Sequence, residues 1–579
     1  MSTPALSELP IELLDHIITQ LDDPALVSLA KTNHLFNNLA LHAFFIRNNV
    51  SGPRHGYLVS RLAPPEIIPA LNAALWLTDL QSITYYLNPD FRQMVMETRG
   101  LAALVDRLPS VEHVDVYFGS VDYWLNELYG MGGTWMAIMG LTMEERPRLG
   151  KERWRKAFVG LLDGVLSKGC VKLSVSGGSI FQEFYVEDEA RQTAVERTFA
   201  FWPRATTLPL SGRPPTPRPP FLGKPDIVSS GFSGPGFFSY FVASLRRGWS
   251  SVWKWTLWFF TSTHAATLPE PILKIKLDEP EKFEPLPNPS LSSFQIRTSM
   301  LLQPLFLHKT IDIFQTQAPA LRELSLIGAK ATTDTWETLF SSIHLPALET
   351  FCYMFDTLIV DRPTLTLQVV HDFLVRHPTI QFLELYGIVI PIEFPVLQQD
   401  ILPYLTRLDA HPQVIAWFLK DVQCLPSLDT VHITSEYTAS WMDRPNSYAY
   451  FDEGILTVSA LPRPINLRLK FNTELELVPW LNTHNDQGRA DSALGKLTNV
   501  KKLAVSCQYL VTFSKDVLVG VLPAWLAVFP SVEEFAIVEH PCPDEVLDLK
   551  EFHTALWSVC PGLRKFLVCD EEITINRSV

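Results

Sequence analysis

Hydrophobic and polar residues follow a helical period in the first fifty residues of the chain. The apolar positions of the first stripe are Leu13, Leu14, Ile17, Ile18 and Leu21. Such i, i+3 and i+4 spacing predicts an amphipathic helix. Asp22-Asp23-Pro24 ends that stripe, and Thr32-Asn33 breaks the pattern again before a run containing Phe36 and Phe44. Acidic and small polar residues at these places are typical of helix starts. Residues 6–50 are therefore predicted to form three short helices.

This helical unit is too small to bury all of its apolar side chains by itself. A contiguous apolar patch left on a surface indicates an interaction site. We expect such a patch to include Leu9, Ile17, Leu21 and Leu26.

The segment LPIELLDHIITQLDDPALVSLAKTNHLFNNLA resembles an F-box of the style common in fungal proteins. The matching residues are Leu9, Pro10, Glu12, Leu13, Leu14, Ile17, Leu21, Leu26, Leu29, Ala30, Asn33 and Leu39. In that family the motif docks onto a small Skp-type adaptor, which links it to a cullin-based ubiquitin ligase. The resemblance implies adaptor contacts from Leu9, Pro10, Leu13, Ile17, Leu21 and Leu26. Phe44 and Phe45 stand near the place where many F-boxes carry a Trp. The alternative is an ordinary helical hairpin packed on its own chain.

A second pattern, P-x-L-x-x-L-x-L with substitutions, recurs over the rest of the chain. In its C-terminal part the mean period is roughly 30 residues. The clear copies begin at Pro319, Pro346, Pro378, Pro403, Pro426, Pro530 and Pro561. Weaker copies begin at Pro109, Pro203, Pro289 and Thr498, with further ones at Thr78, Lys168 and Pro462. Alternating apolar residues at the end of each copy predict a short strand with one buried face.

Amphipathic stretches precede most copies of this phrase. They include Val369–His377, Val414–Gln423, Val517–Phe529 and Phe552–Cys560. A unit of helix, Pro and strand cannot bury its apolar face alone, so neighbouring units must stack. The pattern resembles an irregular leucine-rich-repeat array of the kind that follows F-boxes. The predicted fold class is therefore α/β, with a short three-helix F-box followed by an irregular leucine-rich-repeat-like α/β solenoid. The alternative is an ordinary α/β domain whose strands begin with Pro.

These patterns divide the chain into four parts. They are residues 1–50 (F-box-like), 51–212 (first part of the repeat array), 213–288 (Pro- and aromatic-rich insertion) and 289–579 (degenerate repeat array). The aromatic stretch at 237–260 is interrupted by Arg246, Arg247 and Lys254. Because a mid-bilayer Arg is costly, we expect this stretch to pack on the array rather than to contact a membrane. An interfacial helix is the alternative.

Composition narrows the classes of function. Hydrophobic residues make up 47% of the chain and charged residues 19%, which is enough apolar material for a large core. The net charge of -14 disfavours non-specific binding of nucleic acid. Seven Cys without a C-x-x-C pair argue against a disulfide scaffold and against a Cys-based zinc site. The first residues do not have the pattern of a signal peptide. We expect a reducing compartment, cytoplasmic and/or nuclear.

The sequence contains no P-loop, G-x-G-x-x-G, H-E-x-x-H or G-x-S-x-G motif. We therefore predict no catalytic residues, no cofactor and no metal. Polar residues between the buried positions of the predicted strands face outward and are candidates for binding a target protein. These candidates are Glu323, Glu384, Arg407, Asp409, His432, Arg468, Lys470 and Lys502. A solvated charged face is the alternative interpretation.

The hypothesis that follows from the resemblance is a non-catalytic substrate-recognition subunit of a Skp-cullin-F-box ubiquitin ligase. The helical unit would bind the adaptor, and the repeat array would bind an unknown protein substrate. Two alternatives stay open. One is a repeat-array interaction scaffold with no ligase role, and the other is an enzyme or membrane-associated factor on an unrecognised fold.

Overall fold

The computed structural model describes most of the chain between Leu9 and Ile573. The described residues are 9–60, 66–88, 91–118, 148–177, 289–355, 364–389, 391, 393–394, 401–420, 425–434, 448–471, 474–507, 515–538, 550–569 and 571–573. All of them belong to one compact unit, formed by residues 1–191 and 285–579. The predicted insertion at 213–288 and the repeat copy at Pro203 lie outside the described residues.

Three helices occupy the N-terminal region, namely α1 (Ile11–Gln20), α2 (Asp23–Ala30) and α3 (His34–Arg47). The polar residues that interrupt the apolar pattern are their N-caps. The Asp22 carboxylate accepts the Ala25 N–H at 2.9 Å, and the Asn33 side chain accepts the Phe36 N–H at 2.9 Å. Each bond satisfies a donor that the first helical turn leaves without a partner.

The described strands form one 15-stranded sheet in which spatial order follows chain order. Pairing is parallel throughout except for the last strand, which is antiparallel to its neighbour. The strands are β1 (Tyr57–Ser60), β2 (Ser82–Leu87), β3 (His113–Phe118), β4 (Lys172–Gly177), β5 (Ser293–Arg297), β6 (Glu323–Ile327), β7 (Thr350–Met354), β8 (Phe382–Tyr386), β9 (Arg407–Ala410), β10 (Thr430–Thr434), β11 (Ile465–Phe471), β12 (Val500–Cys507), β13 (Glu534–Ile537), β14 (Lys565–Val568) and β15 (Glu571–Glu572).

Helices connect most of these strands. They are α4 (Ile67–Ala73), α5 (Phe91–Arg107), α6 (Arg148–Ser167), α7 (Pro304–Gln317), α8 (Thr333–Ser342), α9 (Leu367–Val375), α10 (Pro412–Phe418), α11 (Tyr448–Ser459), α12 (Glu474–Asp491), α13 (Leu522–Val528) and α14 (Lys550–Val559). A turn of π-helix at Val517–Val521 leads into α13. Parallel strands require such crossovers, and an α-helix is the usual one.

The repeated phrase marks the strands. The copies at Pro319, Pro346 and Pro378 lead into β6, β7 and β8, each of which begins four residues after its Pro. The other described copies also end in strands. The prediction of an α/β, solenoid-like stack of helix–strand units is confirmed at this level. The first strand β1 and the short β15 were not predicted, because no copy of the phrase precedes them.

One face of the sheet is covered by helices. Aromatic side chains show the contact directly: Trp336 of α8 packs edge-on against Tyr353 of β7, with ring centroids 5.6 Å apart. Phe552 of α14 and Phe566 of β14 have centroids 5.6 Å apart. The strand residues on this face are almost completely buried. The alternate positions point to the opposite side of the sheet, which we call the strand face.

The N-terminal helices are fastened to the first unit of the sheet. Asn37 of α3 is buried, and its side chain donates to the Ala30 and Ala73 carbonyls at 2.9 and 2.8 Å. Its Oδ1 accepts the Leu75 N–H at 3.1 Å. The buried residues of the helices and of the sheet belong to one continuous hydrophobic core.

Candidate interaction surfaces

The first candidate surface is an apolar stripe on α1. Leu13 is 52% exposed, whereas the neighbouring Leu14 is only 2% exposed. Ile17 lies one turn after Leu13 and is also exposed, and so are Pro10 and Ile11. Residues four apart lie on the same side of a helix. One side of α1 therefore packs on the core, and the other presents large aliphatic side chains outward. We call Pro10, Leu13 and Ile17, which lie on one side of the helix, the apolar stripe.

Three residues that the sequence placed in the exposed patch are partly or fully buried. Leu9 and Leu21 are partly buried against the core. Leu26 was expected in the exposed patch, but it is 0% exposed. The reason is that α2 packs closely against α3, so that Leu26 faces inward with Val27 and Ala30. Of the predicted adaptor contacts, Pro10, Leu13 and Ile17 are therefore the exposed ones.

Arg47 fixes the end of α1 against α3. Its guanidinium donates to the Leu21 carbonyl at 2.7 Å and to the Thr19 carbonyl at 3.1 Å. It also pairs with the Asp23 carboxylate at 3.0 Å. Carbonyls at a helix C-terminus lack partners within the helix, and a basic side chain satisfies them well. These contacts hold the apolar stripe in a defined orientation.

The second candidate surface is on the strand face. Parallel register places one residue of each strand in a single row across the sheet. From β6 to β11 that row is Ser325, Cys352, Glu384, Asp409, His432 and Arg468. Each of these residues stands six positions after the first residue of its phrase. This row is mostly polar, whereas the strand residues on the helix-covered face are apolar.

Asp409 is the centre of an ionic group in this row. It is 3% exposed, and its carboxylate oxygens lie 2.7 Å from Arg407 Nη2 and 2.6 Å from His432 Nδ1. Arg407 Nη2 is also 3.2 Å from the same His432 nitrogen. One nitrogen cannot serve both contacts as donor and acceptor. The tautomer of His432 therefore decides which of the two contacts is a hydrogen bond.

The surroundings favour the neutral form of His432. Burial lowers the pKa of His432, and the cationic Arg407 and Arg468 lower it further, against the opposing effect of Asp409. Arg407 in turn is held over the Phe382 ring, with its guanidinium carbon 4.5 Å from the ring centroid. The Asp409 charge is therefore balanced mainly by Arg407.

Cys352 and Glu384 form the neighbouring polar pair. The Cys352 thiol donates to Glu384 Oε2 at 3.0 Å. Burial is the main cause that raises the pKa of the Cys352 thiol and that of the Glu384 carboxyl. A thiol kept protonated in this way is a poor nucleophile. His432 is also three strands away, roughly 14 Å at the usual strand spacing, which is too far for a Cys–His pair.

The next row of the strand face carries further polar groups. The Tyr386 hydroxyl on β8 reaches across β9 to Thr434 Oγ1 on β10, at 3.0 Å. Arg468 donates from Nε and Nη2 to Ser506 Oγ, at 3.3 and 3.2 Å. Lys470 lies beside them on β11; burial raises the pKa of the Glu384 carboxyl, and the charge of Lys470 offsets part of that rise. Side chains from β8 to β12 therefore converge on one area.

The structure brings together six of the eight residues proposed from the sequence to bind a target. The six, which we call the polar cluster, are Glu384, Arg407, Asp409, His432, Arg468 and Lys470. Glu323 lies on β6 and accepts from Gln295 Nε2 at 3.2 Å. Lys502 lies on β12 and pairs with Glu534 at 2.9 Å. Neither is tied to the polar cluster by a bond shown in the described residues.

Sequence reasoning missed four residues that contact the polar cluster or border it. These are Cys352, Tyr386, Thr434 and Ser506. For Cys352 a usable signal existed, since it stands at the same phrase position as Ser325 and Glu384. The contacts of the other three depend on which strands lie side by side, and no pattern within one repeat contains that information.

In the described part of the chain, no group of three or more His, Cys, Asp and Glu side chains is arranged to hold a metal ion. Across the same residues, none of the helices combines the length and the apolar character that a bilayer crossing requires.

Comparison with known proteins gives little further guidance. No family model matches the chain, and no curated protein is significantly similar to it. Among solved structures, the chain is similar to a structural-genomics protein from Bacteroides fragilis. The identity is 12%, and the match covers 49% of this chain and 68% of that chain with a TM-score of 0.25. A likeness this weak carries no argument about function.

Proposed function

We propose that the protein is a substrate receptor of a Skp-cullin-F-box ubiquitin ligase. The apolar stripe of α1 would dock onto a Skp-type adaptor, and the strand face would hold a target protein. The observation that carries the proposal is the exposure of Leu13 and Ile17 within the segment that resembles an F-box. Large aliphatic side chains exposed side by side on one helix are typical of a surface that a partner covers.

The proposed role requires no chemistry from this chain. A receptor acts by holding a target lysine close to a ubiquitin-loaded enzyme, which raises the effective concentration of the two reactants. The separation between Cys352 and His432 and the protonated state of the thiol are consistent with a binding surface. The α/β repeat architecture provides the long row of side chains that such binding needs.

Co-purification with a Skp-type adaptor tests the proposal. The test variant is Ile17→Asp, which places a charge in the apolar stripe. The matched control is Ile46→Asp on α3, because Ile46 is equally apolar and also exposed but lies outside the stripe. We expect wild type and Ile46→Asp to form a one-to-one complex, and Ile17→Asp to lose it while remaining folded. Equal retention by both variants, or no complex with wild type, would refute the proposal.

A second candidate function is favoured by one observation. Leu26 is buried, and Asn37 ties α2 and α3 to the segment around α4. A terminal unit attached in this way is typical of a cap that closes the end of a repeat array. If the adaptor does not bind, the protein is better interpreted as an interaction scaffold whose first helices form such a cap.

A further inference from the structure

We infer that His432 is a switch that couples the surface of the strand face to the position of Arg407. Whatever engages its outer nitrogen, Nε2, decides whether its inner nitrogen, Nδ1, accepts from Arg407 or donates to Asp409. The inference concerns the polar cluster alone and goes beyond the proposed receptor role, so it does not depend on adaptor binding. Its basis is that Nδ1 lies within reach of two groups that need opposite partners.

The inner nitrogen of His432 cannot satisfy both of its neighbours. Nδ1 lies 2.6 Å from Asp409 Oδ1 and 3.2 Å from Arg407 Nη2. A carboxylate only accepts hydrogen bonds, and a guanidinium only donates them. A bare Nδ1 therefore accepts from Arg407 but meets the lone pairs of Asp409. A protonated Nδ1 donates to Asp409 but brings two N–H groups together at Arg407.

The outer nitrogen of His432 is where a ligand reaches this arrangement. Within the described residues, Nε2 has no hydrogen-bond partner and is not fully enclosed. A neutral imidazole carries one N–H, so the state of Nε2 fixes the state of Nδ1. A hydrogen-bond acceptor at Nε2 keeps the proton there and leaves Nδ1 bare, whereas a donor at Nε2 moves the proton to Nδ1.

A proton is the smallest ligand of Nε2, and its effect follows from the geometry. An imidazolium carries N–H groups on both nitrogens, so Nδ1 donates to Asp409 in a charge-assisted bond. Two cations then meet at the 3.2 Å contact between His432 and Arg407. The side chain of Arg407 is 41% exposed and that of Asp409 only 4%, so Arg407 is the group that can move. We expect its guanidinium to leave the Phe382 ring that it covers.

The surroundings set the pH range of this change. Burial lowers the pKa of His432, and the charges of Arg407 and Arg468 lower it further, while Asp409 opposes them. The imidazole therefore gains its proton below pH 6.5. The helices α10 and α11 pack under β10 on the opposite face of the sheet, away from His432.

Other ionisable groups of the neighbouring strands are Glu384, Lys470, Cys352 and Tyr386. Burial raises the pKa of the Cys352 thiol and of the Tyr386 hydroxyl, so both stay protonated in acid. Lys470 is a cation throughout the range. Burial also raises the pKa of the Glu384 carboxyl, so Glu384 gains a proton in acid as His432 does. A variant must therefore separate Glu384 from His432.

Hydroxyl-radical footprinting of the full-length protein, read by mass spectrometry, measures how far the Phe382 ring is covered. Arg407→Ala provides the value for an uncovered ring. In wild type, we expect slow oxidation of Phe382 at pH 8 and a rise towards the Arg407→Ala value at pH 5. His432→Asn keeps a hydrogen-bonding group near the place of Nδ1 but cannot take up a proton, so it should show no rise. Slow oxidation of the buried Phe566 shows that each sample is folded.

Three outcomes would overturn the inference. The first is slow oxidation of Phe382 at both pH values in wild type, because Arg407 then stays in place. The second is an equal rise in His432→Asn, and the third is loss of the rise in Glu384→Gln. Either of these assigns the titration to a group other than His432. None of the three bears on adaptor binding, which tests the receptor role separately.

Discussion

The helical unit and the strand face differ in the kind of side chain that they expose. Both rest on one continuous core, and both expose residues that the core does not use. On α1 the outward residues include the apolar stripe, whose side chains are exposed among polar neighbours such as Asp15 and His16. On β8 to β11 the outward residues are ionisable, and most are hydrogen-bonded to one another. An apolar surface is stabilised when a partner removes it from water, whereas a paired polar surface is stable as it stands.

This difference implies different kinds of recognition. Docking on the apolar stripe depends on buried area and shape, so it should be permanent and insensitive to salt. Binding on the strand face depends on charge, so it should weaken as the salt concentration rises. The proposed receptor role would use both properties, because the place of a receptor in its complex is fixed while its targets change.

The largest expected effect comes from two adjacent leucines of α1. Leu14→Ala creates a cavity in the core and should lower the free energy of unfolding by about 2–5 kcal/mol. Leu13→Ala removes an exposed side chain and should change it by less than about 0.5 kcal/mol, while weakening adaptor binding. Urea unfolding of both variants measures the first quantity, and adaptor pull-down measures the second. Equal loss of stability in the two variants would mean that α1 does not present the face described.

The second prediction concerns the core that the two surfaces share. His377 is fully buried, its Nε2 accepts the Leu345 N–H at 2.8 Å and its Nδ1 donates to the Phe373 carbonyl at 2.6 Å. Burial lowers the pKa of His377 from 6.5 to about 4. The unfolded chain therefore binds a proton first as the pH falls. Stability from this group is complete above pH 6.5 and should be lost between pH 6.5 and pH 4, by at most about 3 kcal/mol.

Glu97 has the opposite effect on the pH dependence of stability, in an overlapping pH range. The contributions of Glu97 and His377 must therefore be measured separately. Burial raises the pKa of its carboxyl from 4.5 to about 7, and the folded protein binds this proton first. Stability from Glu97 should therefore increase as the pH falls from 7 towards 4.5. Unfolding is best compared between wild type, His377→Gln and Glu97→Gln at each pH. The His377 prediction fails if His377→Gln loses as much stability in acid as wild type does.

The strands of the repeat could be predicted from the sequence, whereas the burial of Leu26 could not. The repeated phrase located β6, β7 and β8, because an apolar residue after each Pro and the alternation that follows are local properties. Parallel register then placed Glu384 beside Asp409, 25 positions along the chain, as the repeat period implies. The burial of Leu26 could not be read in this way. Its side chain has the same spacing in a free amphipathic helix as in one that packs on a neighbour.

The third prediction tests whether the strand face depends on Asp409. Asp409→Asn keeps the size of the side chain but removes the charge that balances Arg407 and orients His432. Because Arg407 is partly exposed and water can replace some of the contact, we expect a loss of about 2 kcal/mol in the free energy of unfolding. Thermal unfolding measures it. Glu323→Gln is the control, since Glu323 contacts only a neutral Gln295 side chain in the bonds shown, and it should change stability by under about 0.5 kcal/mol.

The smallest expected effect separates the charge of Arg407 from its shape. Arg407→Lys keeps the positive charge near Asp409 but cannot lie flat over Phe382 or donate in the same fork. We expect a loss of about 1 kcal/mol in the free energy of unfolding, mostly from the lost stacking. Phe382→Leu should remove the same contribution, and the double variant should lose little more than either single variant. Additive losses would show that Arg407 and Phe382 stabilise the protein independently, and that the strand face is held together by charge alone.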